Sequence, residues 1–235
     1  MQAIILAGGF GTRLGDLTKF VPKPMLPIDG VPWLHRLVVD LSLNGFTDIT
    51  IATHYKSEVI ESYFKDTIIE NTTIRCVKEH QPLGTGGAIR NCIKHVKDAH
   101  VLIVNADVLS DVDYKAMYRR HTVRNDDVTI AVKDMKDVSA FGVAVINGFH
   151  IKEFVEKPQG EPPSHFINTG VYVIRTSLLK KIPKRKEVSI EREFFPSMIE
   201  KGKEVNAYFY SGAWIDFGTV DNYLKVCNAH DWRTV

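Results

Sequence analysis

The chain lacks any hydrophobic run near the roughly 18 residues of a membrane span, so no transmembrane segment is expected. Its first residues show no basic stretch followed by a long apolar one, which predicts no signal peptide and a cytoplasmic protein. Cysteines are few. Cys76, Cys92 and Cys227 are odd in number and widely spaced, which argues against a disulfide framework or a cysteine zinc site and for buried free thiols in a reducing compartment. A dominant charge is missing as well: 30 Lys and Arg against 28 Asp and Glu leave +2, so no global field points to nucleic acid or a membrane surface. There is no linker, low-complexity stretch or repeat, and no hexapeptide repeat that would build a left-handed β-helix domain. None of the nine histidines falls in a metal-ligand pattern; His54, His80 and His165 lie near candidate loops and read as ordinary polar residues.

What is present is a common globular composition, 44 % apolar and 25 % charged, over 235 residues. That length is enough to bury a real core, and a single α/β domain over 1–235 is expected. Short apolar runs alternate with longer amphipathic ones. Ala3–Leu6, Asp48–Thr53, Thr73–Glu79 and Val101–Val104 read as strands. Between and after them, helices are predicted from Pro32 to Gly45, about Tyr55 to Lys65, Gly84 to Val96 and about Asp113 to Thr122. This order predicts a Rossmann-like, mostly parallel mixed sheet with helices on both faces, a three-layer α/β fold. Ligands bind beyond the carboxyl ends of such strands, so the loops after Leu6, Glu79 and Val104 should share one edge. From about residue 126 the pattern shifts to shorter β elements at Val128–Val132, Gly142–Ile146, His150–Val155 and Phe166–Ile174. A helix over Ser189–Lys201 with an interruption at Pro196, a strand over Val205–Tyr210 and a helix over Thr219–Ala229 follow. The half up to about residue 125 is expected to carry one ligand and the half from about 126 to 235 to lay a lobe for a second over it.

The first loop, Leu6-Ala7-Gly8-Gly9-Phe10-Gly11-Thr12-Arg13-Leu14, packs three glycines into four positions directly after a buried strand. Glycine lets backbone N–H groups approach an anion and adopt positive φ, and successive N–H groups form a concave anion site. Arg13 and Lys23 add positive charge nearby. Familiar nucleotide motifs do not fit: the dinucleotide fingerprint needs a small residue where Leu14 stands, and the Gly-Lys-Ser/Thr of a P-loop is missing. By themselves the glycines are equally consistent with a simple turn.

Continued through Val21-Pro22-Lys23-Pro24-Met25-Leu26-Pro27-Ile28, the segment resembles the signature of the sugar-1-phosphate nucleotidyltransferases over more than twenty positions. One departure is Gly15-Asp16, where that family often has a proline before the Leu17-Thr18 pair. Three later segments resemble the same family: Gln81-Pro82-Leu83-Gly84-Thr85-Gly86-Gly87-Ala88, Glu156-Lys157-Pro158 with Asn168-Thr169-Gly170, and Trp214-Ile215-Asp216-Phe217-Gly218-Thr219.

The resemblance implies a reaction. A sugar 1-phosphate oxygen attacks the α-phosphorus of a nucleoside triphosphate and pyrophosphate leaves. It also implies roles. Leu6, Ala7, Gly8, Gly9, Gly11, Thr12 and Arg13 would hold the triphosphate, Lys23 the α-phosphate region, and Gln81 and Gly86 the base. Asp107 and Asp216 would bind Mg²⁺, a natural use for a carboxylate at a strand end beside a triphosphate. In the family a glycine precedes the first of these acids; here it is Ala106. Lys157 would bind the sugar phosphate, and Glu156, Asn168, Gly170 and Gly142 would line the sugar pocket. Arg13, Lys23, Asp107, Lys157 and Asp216 form the expected catalytic set, and Asp111, Asp113 and Asp221 read as surface or capping acids.

The chain looks most like guanylyltransferases acting on heptose or mannose 1-phosphate, which supply polysaccharide precursors. Uridylyl transfer to a hexose or amino-sugar phosphate stands close behind, and thymidylyl and cytidylyl transfer stay open. A catalytically silent nucleotide-sugar-binding regulatory subunit is the alternative of another class, disfavoured because all five charged groups are present. No base, sugar or oligomeric state is fixed by the sequence, and a homodimer is admitted.

Overall fold

The computed structural model describes residues 1–184, 186–229 and 231–234. The chain opens with β1 (Gln2–Leu6), then winds through short 3₁₀ turns at Thr12–Thr18 and Lys23–Met25. A tight hairpin follows, β2 (Pro27–Ile28) and β3 (Val31–Pro32), and leads into α1 (Trp33–Leu43). Next come β4 (Asp48–Thr53), α2 (Ser57–Lys65), β5 (Thr73–Lys78), α3 (Gly84–Cys92) and β6 (His100–Asn105). After them lie β7 (Val108–Ser110), α4 (Tyr114–Arg124), β8 (Val128–Asp134), β9 (Gly142–Asn147), β10 (His150–Glu156) and β11 (Phe166–Arg175). The last elements are α5 (Thr176–Leu179), α6 (Phe195–Glu200), β12 (Val205–Phe209), β13 (Trp214–Asp216) and α7 (Val220–Asn228).

Among the described residues nine strands make one sheet in the order β5-β4-β1-β6-β11-β8-β12-β10-β9. β5, β4, β1 and β6 run parallel, β12 is parallel to β8, and β11 is antiparallel to both β6 and β8. The mostly parallel mixed sheet expected from the element order is therefore present. Alternate side chains of one strand face opposite sides of a sheet, and here both sides are dry, as parallel sheets require. Ile5, Leu102, Val104, Val171 and Val173 face one core with Leu37 and Val38 of α1, Ile60 of α2, Met117 of α4 and Tyr223 of α7. Ile4, Val101, Ile103, Tyr172 and Ile174 face the other with Ile89 of α3, Leu179 of α5 and Met198 of α6.

The two halves share one sheet. β11 inserts beside β6, pairing Val171 with Val104 and Tyr172 with Ile103, so strands of both halves are continuous neighbours. Two helix expectations also change. The helix expected to reach Val96 is α-helical only to Cys92 and closes with a 3₁₀ turn at Ile93–His95. The irregularity expected at Pro196 lies earlier: Ile190–Phe194 is underwound into a wider, π-type turn, with Phe194 N–H donating to Ser189 O at 3.2 Å. Pro196 sits in the first turn of α6, where its missing N–H costs nothing. Among the described residues no helix is long and apolar enough to cross a membrane.

Candidate active site

The carboxyl ends of β1, β4, β5 and β6 open onto one cleft of about 400 Å³. Leu6, Ala7, Gly8, Gly9, Gly11, Thr12 and Arg13 line it together with Lys23, Asp107, Gly218, Glu79 and Leu83–Thr85. Among the described residues, the N–H groups of Gly8, Gly9, Phe10 and Gly11 have no hydrogen-bond partner. Gly9 and Phe10 are exposed and Gly8 and Gly11 half-buried, so these four donors along one loop are open to an anion in the cleft. Gly11 is at φ 66, and a Cβ there would lie 3.0 Å from Thr18 Cγ2 and 3.2 Å from Lys23 Cβ. Only glycine fits this left-handed, crowded position, which lays Lys23 against the loop.

The two acids far apart in sequence meet through a feature the sequence did not display. β13 pairs antiparallel with β7, setting Asp216 opposite Val108, one residue after Asp107. Both carboxylates then converge on Lys23: Nζ lies 3.3 Å from Asp107 Oδ2 and 3.1 Å from Asp216 Oδ1. Asp216 Oδ1 also accepts the Gly218 N–H at 2.8 Å, and Oδ2 lies 3.3 Å from Arg13. The Lys23 side chain is only 6 % exposed, against 47 % for Asp107. Its ammonium is 4.8 Å from the Phe217 ring centroid, a favourable cation–π arrangement. Gly218 permits this crowding, since a Cβ there would lie 2.6 Å from the Arg13 guanidinium. Nearby, Asn105 Oδ1 is buried without a partner among the described residues. Among those residues there is no group of three or more His, Cys, Asp or Glu that could hold a metal by itself.

Glu156, Lys157, Asn168, Gly170 and Gly142 form a second group beside the cleft rather than in it. The strand register explains their company. Gly142 pairs with Glu156 across β9 and β10, and Val143 with Ile167 across β9 and β11. Asn168 accepts the Gly170 N–H at 2.9 Å and donates to the buried Tyr172 hydroxyl at 2.7 Å. Gly170 packs against Asn105 of β6, which lines the cleft, so the two groups touch there. Burial pushes the Glu156 carboxyl up, and Glu191 adds to the effect against Lys157 and Arg192. Lys157 lies 3.9 Å from Glu156, with its side chain 55 % exposed.

Gln81 and Gly86 are not brought into the cleft. Gln81 is exposed beyond it, and the Gly86 N–H donates to Val188 O at 2.8 Å. Glu79, expected only as the last residue of a strand, reaches the cleft instead. It is 6 % exposed, lines the cleft, and accepts the Leu83 N–H on Oε2 at 3.2 Å. Burial pushes its carboxyl up, opposed by the Leu83 N–H and by His54. The signal was available in the chain: a charged residue at the carboxyl end of a parallel strand, two residues before Gln81. Glu191 accepts hydrogen bonds from Thr85 Oγ1 at 2.7 Å and Ser189 Oγ at 2.9 Å. Trp33 packs edge-on against Phe217 and Trp232, and Asp113 caps α4 as expected.

Comparison with known proteins shows the family to which this fold and sequence are similar. The family model described as nucleotidyl transferase matches residues 2–231. The chain is 34 % identical over 225 residues to a D-glycero-alpha-D-manno-heptose 1-phosphate guanylyltransferase of Aneurinibacillus thermoaerophilus, covering 96 % of each chain. It is 35 % identical over 227 residues to a mannose-1-phosphate guanylyltransferase of Mycobacterium tuberculosis, covering 96 % of this chain but spanning only 63 % of that relative's length. Among solved structures it resembles HddC from Yersinia pseudotuberculosis complexed with GMP-PN, with a TM-score of 0.81 and 32 % identity, over 96 % of this chain and 97 % of that one.

Proposed function

The chain belongs to the nucleotidyl transferase family, and from that premise we propose that it transfers a guanylyl group from GTP to a heptose-type or mannose-type sugar 1-phosphate. Pyrophosphate leaves and a nucleoside diphosphate sugar forms, in the cytoplasm, by residues 1–235 acting as one catalytic domain. The observation that carries this reading is one cleft lined both by Arg13, Lys23 and Asp107 and by the Glu79 carboxylate. The guanylyltransferase names of the relatives and the GMP-PN bound to HddC support it.

Guanine presents two adjacent donors, N1–H and the 2-amino group. A buried carboxylate matches that edge and rejects uracil and adenine, which offer no such pair. In this reading Glu79 reads the base, aided by Leu83 and Gly84. The free N–H groups of Gly8–Gly11 and the side chain of Arg13 hold the β- and γ-phosphates and take the charge that develops on departing pyrophosphate. Lys23 bears on the α-phosphate. Glu156 and Asn168 orient the sugar hydroxyls, and Lys157 places the sugar phosphate for in-line attack. The attacking phosphate oxygen is already ionised at neutral pH, so no general base or covalent intermediate is called for; the work is positioning and charge neutralisation.

A divalent cation fits the donor set. Asp107 and Asp216 converge on one point, Asn105 Oδ1 is unpartnered beside them, and Mg²⁺ is commonly bound by one or two carboxylates with substrate phosphates and water completing its shell. When bound it would neutralise charge on the α-phosphate.

The test is pyrophosphate release across GTP, ITP, UTP and ATP with mannose, heptose and glucose 1-phosphates, for wild type and Glu79→Gln. Wild type should favour GTP. Glu79→Gln should lose about tenfold or more of that preference, the effect of one charge-assisted hydrogen bond. Turnover with no pair, or an unchanged preference in the variant, defeats the reading.

A further inference from the structure

The Asp107 and Asp216 carboxylates already hold a cation of the protein's own. Lys23 Nζ lies 3.1 Å from one and 3.3 Å from the other, almost shielded from water. Its backbone is fixed between Pro22 and Pro24 in a 3₁₀ turn, and Phe217 lies against the ammonium. With Arg13 on the far oxygen of Asp216, two positive groups balance the two acids.

We propose that Lys23 is a resident counter-cation, which keeps the carboxylate pair closed to a divalent ion until the nucleoside triphosphate draws the ammonium away. This rests on the reading that Asp107 and Asp216 are the metal carboxylates. A divalent ion touching both would lie within a few ångströms of the ammonium, where like charges repel strongly and water screens poorly. The described residues supply no third acidic, histidine or cysteine ligand to offset that repulsion. Arrival of the triphosphate changes the balance. Its oxygens give Lys23 a new partner, relieve the excess positive charge and add ligands for the ion. Metal capture and nucleotide capture are then one event, and the free protein does not hold a divalent ion that could favour hydrolysis or the wrong anion. Lys23 is in this sense a positioning residue for the carboxylates before it touches substrate.

The test is Mn²⁺ binding to the full chain, read by electron paramagnetic resonance and calorimetry, without and with GTP. Wild type should bind Mn²⁺ weakly alone and far more tightly with GTP. Lys23→Met, neutral and similar in length, should bind Mn²⁺ without nucleotide about tenfold or more tightly than wild type, the effect of deleting one adjacent like charge. Adding Asp216→Asn to that variant should abolish the gain. Lys23→Arg, which keeps the charge, should leave nucleotide-free binding weak whatever its activity. Lys23→Gln replaces Lys23→Met if the latter does not fold, judged by circular dichroism. Unchanged or weaker nucleotide-free binding in the neutral variants overturns the proposal while Asp107→Asn and Asp216→Asn still weaken Mn²⁺ binding in GTP. If those aspartate variants bind Mn²⁺ with GTP as wild type does, the metal reading itself falls, and the proposal with it.

Discussion

Replacing Asp216 by Asn should cost more stability than the same change at Asp107, although both acids share one lysine. Asp216 accepts the Gly218 N–H, the Lys23 ammonium and the Arg13 guanidinium, and its side chain is 18 % exposed. Asp107 meets only Lys23 among these groups, and it is half in water. The Arg13 contact is itself solvated, with 59 % of that side chain exposed, and contributes about 0–1 kcal/mol. The Lys23 pair is largely shielded, and weakening it leaves a desolvated ammonium with one exposed partner. Losing one partner of a buried pair costs roughly 3–5 kcal/mol. Asp107 still serves the lysine and asparagine keeps the Gly218 bond, so the Asp216→Asn cost should fall to about 2–3 kcal/mol. Asp107→Asn should cost less than about 1 kcal/mol. At roughly 2–4 °C per kcal/mol for a chain of this size, the difference is a drop of about 4–12 °C against about 0–4 °C, measured by thermal denaturation without nucleotide or metal. Adding Lys23→Met to Asp216→Asn should recover much of the loss, since the stranded charge is then gone. Equal losses for the two single variants, or no recovery in the double variant, would refute this account of the cluster.

His121 is fully buried in a chain that links His100, Thr129, Asp126 and Asn206, and burial pushes its imidazole down to about 3. The unfolded chain takes this proton first as pH falls below about 6.5, so stability present above that pH is lost on the way down, by about 2 kcal/mol at pH 5. Denaturant melts at pH 8 and pH 5 should show that slope in wild type and a flatter one in His121→Asn; equal slopes would remove His121 as the cause. Glu156→Gln should raise the KM for sugar 1-phosphate about tenfold, the worth of one charge-assisted hydrogen bond, and leave the KM for GTP near wild type; the reverse pattern would move Glu156 to the nucleotide side. Because the Glu79 carboxyl is pushed up by burial, the KM for GTP should rise on acidification before that for UTP does, and parallel profiles would argue against Glu79 reading the base.

The layered fold was legible because its strands are continuous apolar runs buried on both faces, as at Ile4-Ile5 and Val101–Val104, and periodicity reports that directly. The glycine loop and its charges were legible for a different reason: Gly11, Arg13 and Lys23 are close in sequence, so local spacing holds most of their geometry. What escaped was long-range pairing. The β7–β13 ribbon is three residues on each strand, too short for any period to emerge, and its partners are about a hundred residues apart. The place of Glu79 in the cleft escaped through an ambiguity of register. Gln81 lies in the glycine motif itself, yet the chain turns before it, and Glu79 at the strand's end is the carboxylate that faces the cleft.

The same ribbon explains how two substrate regions drawn from different halves of the chain can be held in one geometry. Trp214, two residues before Asp216, donates its indole N–H to Thr169 O at 3.0 Å, between Asn168 and Gly170 of the sugar side. Its ring meets Phe141, next to Gly142, edge-on at 5.1 Å. In the proposed reading β13 thus carries Asp216 of the nucleotide cluster on one end and braces the backbone of the sugar-side segment with the other. A shift of Asp216 toward a phosphate would be felt at Thr169 through three residues of strand, with no hinge between. Rigid elements position reacting groups better than loops do, and an in-line attack tolerates little misplacement. Trp214→Phe keeps the ring contact but removes the indole donor to Thr169. It should therefore raise the KM for sugar 1-phosphate and lower kcat together, while nucleotide binding measured without the sugar changes little. Loss of nucleotide binding alone would show that the ribbon serves only its own half of the site.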